Sequence, residues 1–307
     1  MRWAAIDFET ANETRGSACA IGVTLVDDAT ITSTRSWLIR PRELRFDPFN
    51  VDIHGITPEA VADKPEWPDI WSEVSELVNG RTIVAHNAGF DMSVLRHTFD
   101  EYGLRYPEFE YFCTWVVSRR AWPGMFSYRL DDLADHFGLS LRHHEAASDA
   151  EACANLALLA HREHGAQSVE ELAETLKFRI GRMQADGWTG CCVKDDGTWS
   201  IRSSKGVTPR TSEFDPDHPF YGRNVVFTGK LERFTRREGI QLVVDHGGAC
   251  PPGVTKKVDY LVVGEQDIRK LRGGTKSSKM RKAEDLLATG VPIELLGEDD
   301  FLRMLDT

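Results

Sequence analysis

The chain has 307 residues and a formal net charge of −11, from 37 lysines and arginines against 48 aspartates and glutamates. At 41% hydrophobic and 28% charged residues it has the apolar content of a folded protein, which excludes wholesale disorder, and its length suggests two domains. No apolar run approaches 18 residues, and Asp7 and Glu9 interrupt the first apolar stretch, which excludes a membrane-spanning helix and a signal-peptide core.

Trp3 to Phe8, Ala18 to Val26 and Ile31 to Ile39 read as strands separated by turn-rich stretches. Helical periodicity follows from Trp67 to Leu77, then a short strand over Thr82–Val84 and a helix from about Asp91 to Tyr102. Helices over Leu130 to Phe137 and Ala150 to Arg162 complete an α/β set, which predicts a mixed sheet, antiparallel at its start, with helices packed on it. From Ser168 the apolar positions Val169, Leu172, Leu176, Ile180 and Met183 share one helical stripe, and Cys191 to Ile201 reads as a hairpin turning at Asp195-Asp196-Gly197. The polar stretch Ser203 to Pro219 reads as a linker. Beyond Tyr221 come a strand, Asn224–Phe227, and a helix opened by the capping-box pattern Thr235-x-x-Glu238 and ended at Gly247-Gly248. A strand Tyr260–Val263, a helix Ser277–Ala288, a strand Val291–Glu294 and a terminal helix Asp299–Leu305 follow. The expected division is an α/β domain over 1–165, a basic helix, hairpin and linker over 166–215, and a small α/β domain over 216–307.

Charge is spread unevenly over these parts. Residues 1–175 carry a net −14, residues 176–210 a net +4 and residues 211–307 a net −1. An acidic first part is compatible with a nucleic-acid substrate if some carboxylates hold metal cations, because those ions reverse the local field. The six cysteines show no CxxC pair and no Cys/His metal spacing, and read as reduced thiols of a cytoplasmic protein.

Three short blocks in the first part carry chemistry. In Asp7-Phe8-Glu9 the two carboxylates are two positions apart on a strand and project to one face, where their repulsion needs a bridging cation, a proton, or simple exposure at a strand end. In His86-Asn87-Ala88-Gly89-Phe90-Asp91 the last residue sits at a strand-to-helix junction, either as part of a site or as a partner of the helix dipole. In His144 to Asp149 the two residues converge only if His144 is on a loop and Asp149 is in the first helical turn; alternatively Ser148-x-x-Glu151 is a capping box. Taken together, Asp7, Glu9, Asp91 and Asp149 match a site for two divalent ions that clamps a phosphodiester, with a neutral histidine to take a proton from water.

These blocks, in this order, resemble the three motifs of the DEDDh 3′–5′ exonucleases, ribonuclease-H-like nucleases that include the epsilon proofreading subunit of bacterial replicases, ribonuclease T and oligoribonuclease. The resemblance covers about residues 1–163 and includes the segment Tyr128-x-Leu130-x-x-Leu133-Ala134-x-x-Phe137-Gly138-Leu139. It implies an α/β fold with a ribonuclease-H-like mixed sheet and flanking helices. It also implies Asp7, Glu9, Asp91 and Asp149 as ligands of two Mg²⁺ or Mn²⁺, and His144 as general base, since His144 and not His143 has the four-residue gap to Asp149. The 3′-terminal nucleotide is expected at Phe8, Thr10 and the HxIT-like run His54-Gly55-Ile56-Thr57, with Phe90 beside it as a contact or as core, and His86 orienting its junction.

Val225 to Leu231, Gly247-Gly248, Val258 to Gly264 and Ser278-Lys279-x-x-Lys282-Ala283 resemble a BRCT domain, most closely the single one of bacterial NAD-dependent DNA ligases, over about Tyr221 to Leu305. This implies a small α/β domain with a short parallel sheet. Phe301 stands where many BRCT domains have Trp, as in ligase-type members. The Thr228 hydroxyl, the Gly229 N–H at a strand end and Lys279 in a first helical turn suit an anion pocket, and the resemblance implies the same three as a phosphate site. The run Arg269-Lys270-Leu271-Arg272 to Lys276 is a DNA contact or a solvated loop. Trp188 and Trp199 suit base stacking or packing, and the neighbouring arginines suit DNA.

The expected protein is a Mg²⁺- or Mn²⁺-dependent enzyme of DNA replication or repair that hydrolyses DNA from the 3′ end to nucleoside monophosphates. Its expected partners are single-stranded or frayed 3′ ends, a 5′-phosphate at the BRCT domain and a repair or replication protein, with no membrane. The rival readings are an RNA 3′-end-trimming exoribonuclease and a non-catalytic DNA- or protein-binding scaffold.

Overall fold

The run Trp3-Ala4-Ala5-Ile6 is buried throughout, the mark of a central strand, and in the computed structural model of the protein it lies in the middle of a sheet. The structure describes residues 2–305 except 13, 126, 194–205, 212–213, 216–217, 232, 265–276, 290 and 292. The chain divides into two compact units, Met1–Ala121 with Arg129–Lys194, and Trp122–Tyr128 with Asp195–Thr307.

In chain order the first part runs β1 (Arg2–Thr10), β2 (Ala18–Asp27), β3 (Thr30–Leu38), α1 (Pro48–His54), α2 (Pro58–Val61), α3 (Trp67–Val78), β4 (Thr82–Ala85), α4 (Ala88–Glu101), β5 (Phe109–Cys113) and α5 (Thr114–Ala121). It continues through α6 (Leu130–Phe137), α7 (Ala146–Glu163), α8 (Val169–Leu176), β6 (Phe178–Arg179), β7 (Gly181–Gln184), β8 (Gly187–Thr189) and β9 (Cys192–Val193). A seven-stranded sheet has the order β3-β2-β1-β4-β5-β7-β8, antiparallel from β1 outward through β2 and β3, parallel from β1 through β4 to β5, and antiparallel again at β7 and β8. The expected mixed sheet, antiparallel at its start, is therefore present. α1, α2, β5 and α5 had no counterpart in the sequence reading.

The helical stripe expected from Val169 to Met183 is corrected. α8 stops at Leu176, whose carbonyl accepts from Arg120 Nε at 2.8 Å, and Lys177 turns left-handed at φ 57°. Ile180 and Met183 therefore leave the helix, and β7 pairs with β5. Gly181 lies opposite Tyr111, where a Cβ would come 2.4 Å from Cζ of the ring, so that strand position requires a glycine. Trp188 on β8 packs its ring 4.0 Å from the Arg96 guanidinium, while Arg179 donates to the Gly190 carbonyl and Arg182 pairs with Glu110. The expected hairpin turn at Asp195-Asp196-Gly197, Trp199 and the basic run Arg269 to Lys276 lie outside the described residues.

The second part holds β10 (Val225–Thr228), α9 (Arg236–Asp245), β11 (Tyr260–Val263), α10 (Ser278–Ala288), β12 (Glu294–Leu296) and α11 (Glu298–Leu305). Its three strands are parallel, in the order β10-β11-β12, as expected of the small domain. The capping box at α9 forms in both directions between Thr235 and Glu238. The last strand is later than expected, at Glu294 rather than Val291, because Glu294 N–H bonds the Asp259 carbonyl to set its register against β11. Val226, Val254, Val258, Leu261, Ala283, Leu287 and Ile293 form one core cluster among the described residues of this unit.

Candidate active site

Two-residue periodicity puts Asp7 and Glu9 on one face of β1, and Phe8 on the other. Phe8 is buried against Trp67 at 5.7 Å between ring centroids, so it presents only main chain toward the carboxylates. Its N–H donates to Asp91 Oδ1 at 3.0 Å, which ties the first turn of α4 to the strand. That helix starts from Asn87 in the left-handed region, and His86 bonds Thr114 Oγ1 at 2.9 Å.

Asp149 arrives on α7. The helix begins at Ala146, four residues earlier than expected, and Ser148 is not its cap: the Ser148 hydroxyl accepts from Arg142 N–H instead. Asp149 thereby falls in the first turn, and its carboxylate accepts from His144 N–H at 2.8 Å. Carboxylate oxygens of Asp7, Glu9 and Asp149 lie within 4.8 Å of one another.

Gly22 sets that approach. It stands opposite Asp7 in the β1–β2 register, and a Cβ there would lie 2.0 Å from the Ala146 carbonyl oxygen. Only hydrogen at this position lets the start of α7 rest on the sheet beside Asp7. A glycine inside a strand signals close backbone approach; the sequence reading did not use that signal. Gly22→Ala is expected to destabilise the protein by about 1–3 kcal/mol through overpacking against backbone. A denaturant titration checks this, and an unchanged midpoint would show that α7 yields freely.

Burial raises the Asp7 and Glu9 carboxyls well above the ordinary range, and Asp149 and Asp91 push them further. Burial also raises Asp91, to about 8, against the lowering effect of the Phe8 N–H and of Arg15. Arg15, which the sequence reading missed, lies 4.5 Å from the centre of the half-buried Phe90 ring. Three clustered carboxylates of this kind are hard oxygen donors whose repulsion a divalent cation relieves, so the residues present fit such an ion.

The remaining expected residues gather at the end of β1. His54 Nδ1 accepts from Ile56 N–H at 3.0 Å, which leaves Nε2 to donate to the Thr10 carbonyl at 3.1 Å. Asn50 Nδ2, also missed from sequence, donates to the same carbonyl at 2.9 Å. Burial lowers the His54 pKa, so the ring is neutral and this tautomer persists. His143 and His144 stack at 3.8 Å, with Nδ1 of His143 at 3.3 Å from Asp149 Oδ1. A groove of about 370 Å³ is lined by His54, Ile56, His143, His144, Trp37 and Arg142, among others.

In the second unit Thr228 Oγ1 lies 2.7 Å from Ser277 Oγ, and Lys279 Nζ donates to the Phe227 carbonyl at 2.9 Å. Arg236, unremarked in the sequence, donates to the Phe227 carbonyl and, at 2.7 Å, to that of Gly229. Two cations thus meet at the C-terminal end of β10.

Residues 4–157 match the family described as Exonuclease (RNase_T), and residues 215–287 match the BRCA1 C Terminus (BRCT) domain. Among curated relatives, a DNA ligase of Syntrophotalea carbinolica is 32% identical over 176 residues, 56% of this chain and 23% of the relative. The 3′-5′ exonuclease DinG of Bacillus subtilis is 30% identical over 156 residues, 49% of this chain and 16% of the relative. The chain thus spans less than a quarter of either relative. A solved structure of Exonuclease X in complex with 5′ overhanging duplex DNA is 30% identical, covers 57% of this chain and 99% of its own, and superposes with a TM-score of 0.47. Among the described residues no helix is long and apolar enough to cross a membrane.

Proposed function

Since the chain belongs to the exonuclease family and carries a BRCT domain behind its nuclease domain, we propose that it removes nucleotides from the 3′ end of DNA by metal-dependent hydrolysis, releasing nucleoside monophosphates. The observation that carries this reading is the meeting of Asp7, Glu9 and Asp149 oxygens within 4.8 Å on a desolvated strand and helix start. We assign Asp7, Glu9, Asp91 and Asp149 to hold two Mg²⁺ or Mn²⁺. Such ions, when bound, neutralise phosphodiester oxygens and acidify water.

The chain's own residues do the rest. A ring nitrogen of His144 takes the proton of the attacking water; its main chain is fastened to Asp149, and the residue lines the groove with His54 and Ile56. The P–O3′ bond breaks, and the new 3′-hydroxyl stays on the shortened strand. Thr10, His54, Ile56 and the Phe8 main chain hold the terminal nucleotide, and the His54 and Asn50 bonds to the Thr10 carbonyl keep that wall in place. We assign Phe90, half-buried under Arg15, to the edge of the same site.

The test is incubation of the purified protein with 5′-labelled single-stranded DNA, duplex DNA and RNA, with Mn²⁺ or EDTA. A Mn²⁺-dependent ladder shortening from the 3′ end of DNA supports the proposal. Preference for RNA would move the protein to 3′-end trimming of RNA, and no shortening of any strand would leave only a scaffold.

For the BRCT domain we assign Thr228, Gly229 and Lys279 to a DNA 5′-phosphate. Lys279→Ala is expected to weaken binding of 5′-phosphorylated DNA by about 1.5–3 kcal/mol relative to 5′-hydroxyl DNA, the size of a charge-assisted hydrogen bond. Equal binding of both DNAs by the parent and the variant would instead indicate a protein partner in replication or repair.

A further inference from the structure

A second set of donors meets at the start of α7. A ring nitrogen from each of His143 and His144 and a carboxylate oxygen of Asp149 all lie within 4.8 Å of one another. The local backbone builds this set. In extended chain, successive side chains diverge, but His144 is left-handed at φ 66°, and the two rings instead stack at 3.8 Å with 24° between their planes. Asp149 is buried at the helix start and bonded to the His144 N–H, so one ligand is held before any ion arrives. Both histidines line the groove, which leaves room for water as a further ligand.

The chemistry of this set differs from that of the neighbouring carboxylates. Asp7, Glu9 and Asp149 offer oxygen alone and suit Mg²⁺ or Mn²⁺, whereas two imidazoles with one carboxylate suit Zn²⁺, Co²⁺ or Ni²⁺. Three protein ligands and an open position are a recurrent zinc arrangement.

We propose that His143, His144 and Asp149 form a second binding site, overlapping the carboxylate cluster at Asp149, for a borderline-soft divalent ion, typified by Zn²⁺, and that its occupation inhibits the protein. An ion held there occupies the His144 ring and withdraws Asp149 from Asp7 and Glu9. The inhibitory half rests on the nuclease reading given above; the binding half does not.

Zn²⁺ binding to the full chain is measured by competition with a chromophoric chelator in Mg²⁺-free buffer, and the inhibition of Mg²⁺-supported cleavage by Zn²⁺ is measured in parallel. His143→Ala is expected to weaken Zn²⁺ binding by at least the roughly 10–100-fold that loss of a merely supporting residue costs. The Zn²⁺ concentration that halves its own Mg²⁺-supported rate should rise by the same factor. Asp7→Asn should keep the Zn²⁺ affinity of the parent. Parental affinity in His143→Ala, or loss of Zn²⁺ binding in Asp7→Asn, would overturn the site by placing the ion among the carboxylates. A parent that binds Zn²⁺ through His143 yet cleaves undiminished would overturn the inhibition alone. A parent without nuclease activity would still give the binding answer, and its failure would fall on the proposed function.

Discussion

Asp7→Asn is expected to abolish 3′-end degradation at saturating Mn²⁺ and, in EDTA, to raise the melting temperature of the same protein. The side chains are nearly isosteric, so the change removes a charge and leaves the packing of β1. Asp7, Glu9 and Asp149 repel one another at a desolvated point unless a cation or a proton relieves them, so the charge that serves chemistry opposes folding. The pH dependence has a definite direction. Asp7, Glu9 and Asp91 all have raised carboxyl pKa values in the folded protein. Above the ordinary carboxyl value, the native state keeps protons that the unfolded chain has lost, so the contribution of these three groups to stability in EDTA is greatest at low pH and declines as pH rises through the folded values. For Asp91 that window runs from 3.8 to about 8. Calorimetry in EDTA should show the melting temperature falling between about pH 5 and pH 8, less steeply in Asp7→Asn, and flattening when Mn²⁺ is added. A melting temperature independent of pH in EDTA, or near-parental cleavage by Asp7→Asn, would refute the cation site.

Replacing His144 should be the next most damaging change, lowering the cleavage rate by roughly 10²–10⁴-fold, the usual contribution of a positioned general base. The backbone complicates an alanine, because His144 is left-handed and its N–H holds Asp149. Asparagine tolerates that conformation better, so His144→Asn keeps the main-chain bond while removing the base. His144→Asn should lose activity with little loss of thermal stability. His143→Ala should cost far less, although it is the His143 ring that contacts the Asp149 carboxylate. Equal impairment of the two histidine variants would show that the stacked pair acts as one unit and that the assigned register is wrong.

Much of the site was legible because it depends on short-range periodicity. Alternation along a strand puts Asp7 and Glu9 on one face whatever the rest of the chain does, and a helix start places Asp91 and Asp149 in first turns. The same alternation sends the Phe8 ring into the core, away from the carboxylates. Where two local patterns competed, periodicity could not choose. Ser148-x-x-Glu151 reads as a cap, but Ser148 accepts from Arg142 and the helix starts earlier. Val169 to Met183 reads as one helix, but a distant arginine, Arg120, takes the last carbonyl at Leu176 and the chain turns into the sheet.

From the sequence by itself follow the mixed α/β sheet, antiparallel at its start, which rests on local periodicity, and the parallel C-terminal sheet, which the BRCT resemblance implies; residue types at fixed local spacing nominate Asp7, Glu9, Asp91, Asp149 and His144 as candidates. Distances between elements far apart in the chain were decided only by tertiary structure. The missing side chain at Gly22 lets Ala146 press on β2, and that contact carries Asp149 to Asp7. Asn50 and His54 fasten the end of β1, and Arg236 joins Lys279 at the end of β10, through bonds to backbone carbonyls. Every residue offers such a carbonyl, so no pattern of side chains announces which one will be used; packing makes that choice.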